Sequence, residues 1–228
     1  SGGRTALVDC GGSGREDAGN IAADAVQAMG ENRVDLLILT HCHADHAGGV
    51  EQLFARVEVG TLVLPPPAEE EEGDLREEVL ALARAHGTEI IQAGRDMRMP
   101  LGRAEITVFA PEGSGGTNEE GLAVLGTAGD FDVLITGDMD ASSEQNLVRH
   151  AALPRVEVLL VGHHGSAGST SEELLRAVRP VYAVISVGQN RYGHPDGAAL
   201  ERLARSGCRI YRPDRAGTVR FTAQAGGD

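Results

Sequence analysis

Short apolar runs recur along the chain, and most of them end at a glycine, a proline or a polar residue. Runs of this length with such ends predict buried strands. Segments with helical spacing lie between many of them, so the pattern indicates an α/β fold. The predicted strands cover residues 5–9, 36–39, 61–64, 89–91, 105–109, 122–125, 131–135, 156–161, 181–187, 208–211 and 218–222, and the clearest predicted helices cover 20–29, 74–86, 142–150 and 197–205.

The ten residues after the strand at 36–39 read Thr-His-Cys-His-Ala-Asp-His-Ala-Gly-Gly. His41, His43, Asp45 and His46 are four potential metal ligands in one short loop. Alternate side chains of an extended backbone point to the same side, so His41 and His43 face one direction. Asp45 and His46 follow a turn of the chain and can serve a second ion. Imidazole together with carboxylate suits zinc, manganese or iron better than calcium or magnesium.

Histidines follow other predicted strands as well. Six of the eight histidines fall in three loops, at 41–46, 162–166 and 190–195, and Asp138 follows a fourth strand. Open α/β sheets usually place their sites at such strand ends. A structural zinc site is closed and commonly rich in cysteine. The histidine and aspartate pattern therefore favours an open catalytic metal site.

Composition limits the class of partner. The 228 residues carry 34 acidic and 20 basic side chains, which gives a formal net charge of −14. This charge argues against non-specific binding to nucleic acid, although metal ions in a cleft can still attract a nucleic-acid substrate. No apolar run is long enough to span a membrane, nothing resembles a signal peptide, and the three cysteines are far apart. We expect one domain, residues 1–228.

His-x-His-x-Asp-His after an apolar strand resembles the signature of the metallo-β-lactamase superfamily. The resemblance implies a four-layer αββα sandwich with a two-metal site at one edge, and it assigns 89–91 and 105–109 to the second half-sheet. Superfamily sheets usually have one more strand before the one at 5–9, so we expect that first strand to be missing here or to lie outside this chain. Further motifs resemble the C-terminal domain of the ComEC competence proteins and its free-standing relatives. These motifs are Gly137-Asp138 and the runs 162–166, 190–195 and 214–218.

The resemblance implies two divalent ions, zinc or manganese. Superfamily members usually carry a further histidine midway between the first motif and the bridging aspartate, but here Asn118 occupies that region, so we expect the first ion to be weakly held. ComEC domains often have aspartate at the position of His43, and histidine there favours softer metals. Asp9 is expected to orient a ligand histidine. The implied ligands are His41 and His43 for one ion, with Asn118 either ligating it weakly or only holding a water, then Asp45, His46 and His164 for the other ion, and Asp138 as the bridge.

The leading interpretation is a metal-dependent phosphodiesterase or nuclease that degrades single-stranded DNA during DNA uptake, by attack of a metal-bound hydroxide on phosphorus. Asp45, His163, Ser166 and His194 are the predicted catalytic residues. His163 is either a spare ligand or a substrate contact, Ser166 is a phosphate contact, and His194 binds phosphate or protonates the leaving oxygen. Two alternatives stay open: a hydrolase of thioesters or other small esters, and a catalytically weak domain that supports a membrane DNA channel.

The resemblance also implies a place and partners. The domain would belong to a membrane channel protein and work at the outer face of the bacterial cytoplasmic membrane. The chain itself is expected to be a soluble monomer, with single-stranded DNA as its substrate and the channel portion of the same parent protein as its neighbour.

Overall fold

A computed structural model describes residues 3–12, 17–67, 75–111, 121–188 and 190–223. They form two β-sheets with a shared core between them and helices on their outer faces, which is the predicted four-layer αββα sandwich. The strands are β1 (Ala6–Val8), β2 (Arg33–Ile38), β3 (Glu58–Leu64), β4 (Glu89–Gln92), β5 (Met97–Leu101), β6 (Ala104–Phe109), β7 (Ala123–Ala128), β8 (Phe131–Ile135), β9 (Val158–Leu160), β10 (Tyr182–Val184) and β11 (Arg209–Tyr211).

Helices connect most of the strands. Several begin at a side chain that accepts a hydrogen bond from the first turn, as Ser171 does from the Leu174 N–H, and this satisfies a backbone donor that would otherwise lack a partner. Within the described ranges, every helix is too short or too polar to cross a lipid bilayer. The helices are α1 (Ala18–Ala28), α2 (Ala44–Ala47), α3 (Val50–Phe54), α4 (Leu75–Ala85), α5 (Ala141–His150), α6 (Glu172–Val178), α7 (Gly197–Ser206) and α8 (Pro213–Ala216).

Strand β2 is buried on both faces. It lies inside the first sheet, whose order is β1-β2-β3-β4 with every pair parallel. Leu37 packs into the core under the outer helices, whereas Leu36 and Ile38 pack into the core between the sheets. Strands covered on both faces read as continuous apolar runs, which explains the sequence at 36–39. The end of β2 is therefore held firmly on both sides, just before the His41 loop.

The second sheet places two strand ends side by side. Its order is β11-β10-β9-β8-β7-β6-β5, with the strands from β8 to β11 parallel and those from β5 to β8 antiparallel. Because β8 and β9 are parallel neighbours, their carboxyl ends meet at the same edge. Asp138 follows β8 and His164 follows β9, so both reach the edge where β2 delivers its histidines.

The predicted strands differ from the structure in three places. Residues 89–91 lie in the first sheet, because α4 crosses over and returns the chain parallel to β3. Strand β5 was missed: it is an edge strand of alternating exposure that contains Pro100, so it shows no apolar run. Residues 218–222 form no strand. Their apolar signal comes from Val219 and Phe221, and the Phe221 ring lies 5.2 Å from that of Tyr182 (centroid to centroid).

Candidate metal centre

Most of the predicted ligands meet where strands of both sheets end. Asp138 lies among them, with its side chain 4% exposed. Its Oδ1 is 3.1 Å from Nε2 of His46 and 3.9 Å from Nε2 of His164. Its Oδ2 is 3.9 Å from Nε2 of His41. One carboxylate therefore faces imidazoles from both halves of the chain, as a bridging ligand would.

Unusual backbone conformations turn these side chains inward. His163 and His164 have φ values of 47° and 52°, in the left-handed region that side chains other than glycine rarely adopt,. Such strained residues concentrate at functional sites. Gly137 has φ of 55°, and a Cβ atom there would lie 2.9 Å from Cβ of Thr40. Glycine at this position thus allows the loops after β2 and β8 to approach each other.

The ligand atoms form two adjoining groups. One group contains Asp45, His46, Asp138 and His164, and the other contains His41, His43 and Asp45; within each group the ligand atoms lie within 4.8 Å of one another. Asp45 belongs to both groups in this geometry, whereas the sequence interpretation gave it to one ion. The assignment of each residue to one ion stays a prediction.

The residues present fit divalent cations. Nε2 of His41, His46 and His164 and Oδ1 of Asp138 are buried without a hydrogen-bond partner. An unsatisfied buried polar atom costs about 1–3 kcal/mol, and here four of them converge on one place. Imidazole and carboxylate are the donors that zinc and manganese accept. Cations at this point would satisfy all four atoms together.

Neighbouring groups fix the orientation of the ligands. Oδ2 of Asp9 lies 2.8 Å from Nδ1 of His46 and accepts from the Thr40 hydroxyl at 2.8 Å, while its Oδ1 accepts from the Thr40 N–H at 2.7 Å. Nδ1 of His164 lies 2.8 Å from the carbonyl oxygen of Ser186. In both rings Nε2 is left to face the centre. The expected role of Asp9 is thus seen in its contacts. Sequence reasoning missed Thr40 and Ser186; Thr40 borders the motif, but a carbonyl such as that of Ser186 leaves no signal in a sequence.

Charged neighbours and burial shift the pKa values of the clustered histidines. Burial alone would lower the pKa of His46, but the neighbouring carboxylates of Asp138 and Asp9 outweigh it and raise this pKa to about 10. Burial and the neighbouring His46 lower the pKa of His41 to about 3. The neighbouring Asp45 carboxylate raises the pKa of His164. Metal ligation needs neutral imidazoles, so binding must release protons and weaken as the pH falls.

The predicted catalytic residues border the same centre. Nε2 of His163 is 3.4 Å from Oδ2 of Asp138. The ring of His194 is 5.7 Å from that of His163 (centroid to centroid) and is partly exposed. Ser166 follows the left-handed turn, with its N–H donating to the His163 carbonyl. Asn118 lies outside the described residues.

A first prediction concerns the two ion sites. Titration of chelator-treated protein with zinc or manganese should show two unequal affinities, the weaker at His41 and His43, because that group offers fewer ligands and because the superfamily resemblance implies Asn118 in the region of a usual histidine. Calorimetry measures both sites directly. Asn118→His is the matched variant and should strengthen the weaker site alone. Two equally tight sites in the unaltered chain would contradict the argument.

Comparison with known proteins identifies the family. The sequence model of the metallo-beta-lactamase superfamily matches residues 1–189. This chain belongs to the metallo-β-lactamase superfamily. Proteins of this fold usually bind divalent metals and include metal-dependent hydrolases.

The resemblance to competence proteins is confirmed. The chain is 35% identical over 197 residues to ComE operon protein 3 of Bacillus subtilis (strain 168), covering 85% of this chain and 25% of that protein. It is 31% identical over 224 residues to Competence protein ComA of Neisseria gonorrhoeae, covering 92% of this chain and 29% of that protein. The chain thus spans about a quarter of the length of these relatives.

Solved structures support the fold. The metallo-beta-lactamase fold protein YhfI from Bacillus subtilis superposes with a TM-score of 0.59 at 18% identity, covering 93% of this chain and 85% of that one. At this identity the likeness shows the architecture and carries no information on the substrate.

Proposed function

We propose that this metallo-β-lactamase-fold domain is a metal-dependent phosphodiesterase that cleaves single-stranded DNA during DNA uptake. The observation that carries the proposal is the pairing of the ligand cluster with His163, Ser166 and His194 at its open side. A metal-dependent hydrolase needs the ligand cluster whatever its substrate. A phosphodiesterase also needs groups that contact an anionic phosphate and a leaving oxygen.

Each group in the proposed site has a defined task. His41, His43, Asp45, His46, Asp138 and His164 would hold two divalent ions, which when bound polarise phosphate and activate water. His163, the Ser166 side chain and the Gly165 N–H are proposed to contact phosphate oxygens. His194 is proposed to donate a proton to the departing oxygen.

Hydrogen bonds from the Asn190 side chain stabilise the loop that carries His194. Oδ1 of Asn190 accepts from the His194 N–H at 3.0 Å, and Nδ2 of Asn190 donates to the His194 carbonyl at 2.8 Å. Asp196 just beyond donates its N–H to the Gly165 carbonyl at 2.8 Å. A Cβ atom on Gly165 would lie 2.6 Å from Cβ of Pro195. These contacts hold the His194 loop against the His164 turn. A general acid needs such a fixed position relative to a phosphate bound at the metal ions.

The names of the curated relatives support the biological setting. They include a competence protein and a ComE operon protein, and we propose that this chain acts beside the membrane channel portion of a longer parent protein. We further propose that it works at the outer face of the cytoplasmic membrane, as a monomer. With a net charge of −14, the metal-free chain should bind DNA weakly and with little sequence preference.

An activity screen tests the proposal. Protein loaded with zinc or manganese is incubated with single-stranded DNA, a duplex, a chromogenic phosphodiester and an acyl thioester, with a chelator-treated sample as the control. We expect cleavage of single-stranded DNA and of the chromogen, and none after chelation. Hydrolysis of the thioester alone would replace the proposal with the small-ester alternative. No hydrolysis of any substrate by protein with both ions bound would favour a non-catalytic channel domain.

A further inference from the structure

A groove runs outward from the metal centre. It has a volume of about 530 Å³ and is lined by Asp45 and His164, which also belong to the ligand cluster. On one side the groove is walled by α1. On the other side it is bounded by the loop after β10, which carries Tyr192 and His194. The residues of α1 in the wall are small or apolar: Ala18, Ile21, Ala22 and Ala25.

Two hydrophobic side chains are exposed at this groove. Tyr192 is 85% exposed and Ile21 is 58% exposed. Aromatic residues make up only 3% of the chain, yet this ring is presented to solvent beside the metal centre. Exposed apolar side chains that lie together along a groove are a feature of ligand-binding sites, and tyrosine is enriched where a flat ring meets a partner.

The Tyr192 ring is presented on a fixed loop. Oδ1 of Asn190 accepts from the Tyr192 N–H at 3.1 Å as well as from the His194 N–H. The rings of Tyr192 and His194 are nearly parallel, at 19°, with centroids 6.2 Å apart. A planar group stacked on Tyr192 would therefore lie nearly parallel to the ring of His194, the proposed proton donor.

The charged groups of the groove are already engaged. Asp214 pairs with Arg212 at 2.7 Å, Asp9 with His46 at 2.8 Å, and Asp45 with His164 at 3.4 Å. What remains between α1 and Tyr192 is a largely apolar surface. A phosphate gains nothing from such a wall, whereas a flat, uncharged aromatic ring can stack on tyrosine and pack against isoleucine.

We infer that this groove is a nucleobase subsite, in which the base next to the scissile phosphate stacks on Tyr192 and packs against Ile21. The inference rests on the proposed function and deepens it, because stacking needs a base with a free face. A base in a duplex is stacked on its neighbours and must first be extruded, so the groove selects single strands. Stacking on an aromatic side chain accepts any base, so the subsite selects strandedness and not sequence.

Binding to two matched strands tests the inference. A fluorescein-labelled oligonucleotide and an abasic strand of equal length both carry phosphorothioate linkages, so that neither is consumed, and anisotropy is measured with metal-loaded protein. The base-bearing strand should bind about 5- to 150-fold more tightly, the factor expected for one stacked base. Tyr192→Ala should remove that preference, Tyr192→Phe should keep it, and Ile21→Ala should reduce it. Met29→Ala is the control, since Met29 follows the same helix, is 57% exposed and does not line the groove.

The outcomes separate this inference from the proposed function. Equal affinity for the two strands, or a preference that survives Tyr192→Ala, would overturn the subsite even if the protein proves to be a nuclease. A base preference that depends on Tyr192 would support the subsite even if no phosphodiester is cleaved, and the proposed function would then fail alone. Displacement of either strand by octanoate, without any base preference, would identify the groove as an acyl pocket and reject the inference.

Discussion

Asp138→Ala should abolish turnover on every substrate and weaken both ion sites, while the domain still folds. The side chain is buried and lies 3.1 Å from His46 and 3.9 Å from both His41 and His164, so it faces imidazoles of both ligand groups. Its loss removes a ligand and also leaves His46 without the partner that raises its pKa. Turnover and calorimetric metal affinity are the two measurements.

Two further variants make this expectation precise. Asp138→Asn keeps the shape and one acceptor oxygen, so it should fold at least as well as the alanine variant and still lose activity. Asp24→Ala removes the same charge from the surface of α1, where the side chain is 67% exposed, and exposed ion pairs are worth little. Its activity should match that of the unaltered chain. Retention of more than a few per cent of activity by Asp138→Ala on any substrate would show that the bridging role is misassigned.

His194→Ala should cost about 10²–10⁴-fold in the rate of DNA cleavage, the usual contribution of one general acid, and should leave both ions bound. Burial, together with His163 and His164, lowers the pKa of His194, so the free site holds a largely neutral imidazole near pH 7. A bound phosphate anion would raise that pKa and favour the protonated form that donates.

The leaving group distinguishes the possible roles of His194. An activated aryl phosphodiester needs no proton at its departing oxygen, so His194→Ala should affect it far less than DNA. Equal losses on both substrates would mean that His194 positions phosphate or metal. No loss on either would mean that it only packs in its loop. His86→Ala is the control, because this exposed histidine follows α4 and lies outside the ligand groups.

Much of the fold could be predicted from the sequence because a strand that is buried on both faces appears as an uninterrupted apolar run. Runs such as 36–39 are apolar without interruption, and they were located correctly. Strand β5 was missed because an edge strand alternates and tolerates Pro100. Residues 89–91 were located but given to the wrong sheet, since an apolar run reveals burial and not the neighbouring strand. Sheet membership is decided by the crossover through α4, which no local pattern encodes.

The candidate site was predicted as a set of side chains but not as a geometry. Histidine and aspartate at strand ends identified the cluster, and Asp9 was correctly expected to contact a ligand histidine. The position of Asp45 within both ligand groups depends on how α2 turns after His43, and the sequence interpretation had no means to derive it. The bracing by Asn190 and the groove beside Tyr192 depend on contacts between loops distant in sequence, so they too required the structure.

The division of the ligands between the two sheets has a consequence for how the domain is made. His41, His43, Asp45 and His46 follow β2, but Asp138 and His164 follow strands of the other sheet, and Ser186, which orients His164, comes later still. During synthesis from the N-terminus, the nascent chain presents an incomplete set of ligands until His164 has emerged, and the group that orients His164 follows only at Ser186. Divalent ions bound there would connect early and late segments of the chain, and their binding would raise the free energy of unfolding with the logarithm of their concentration.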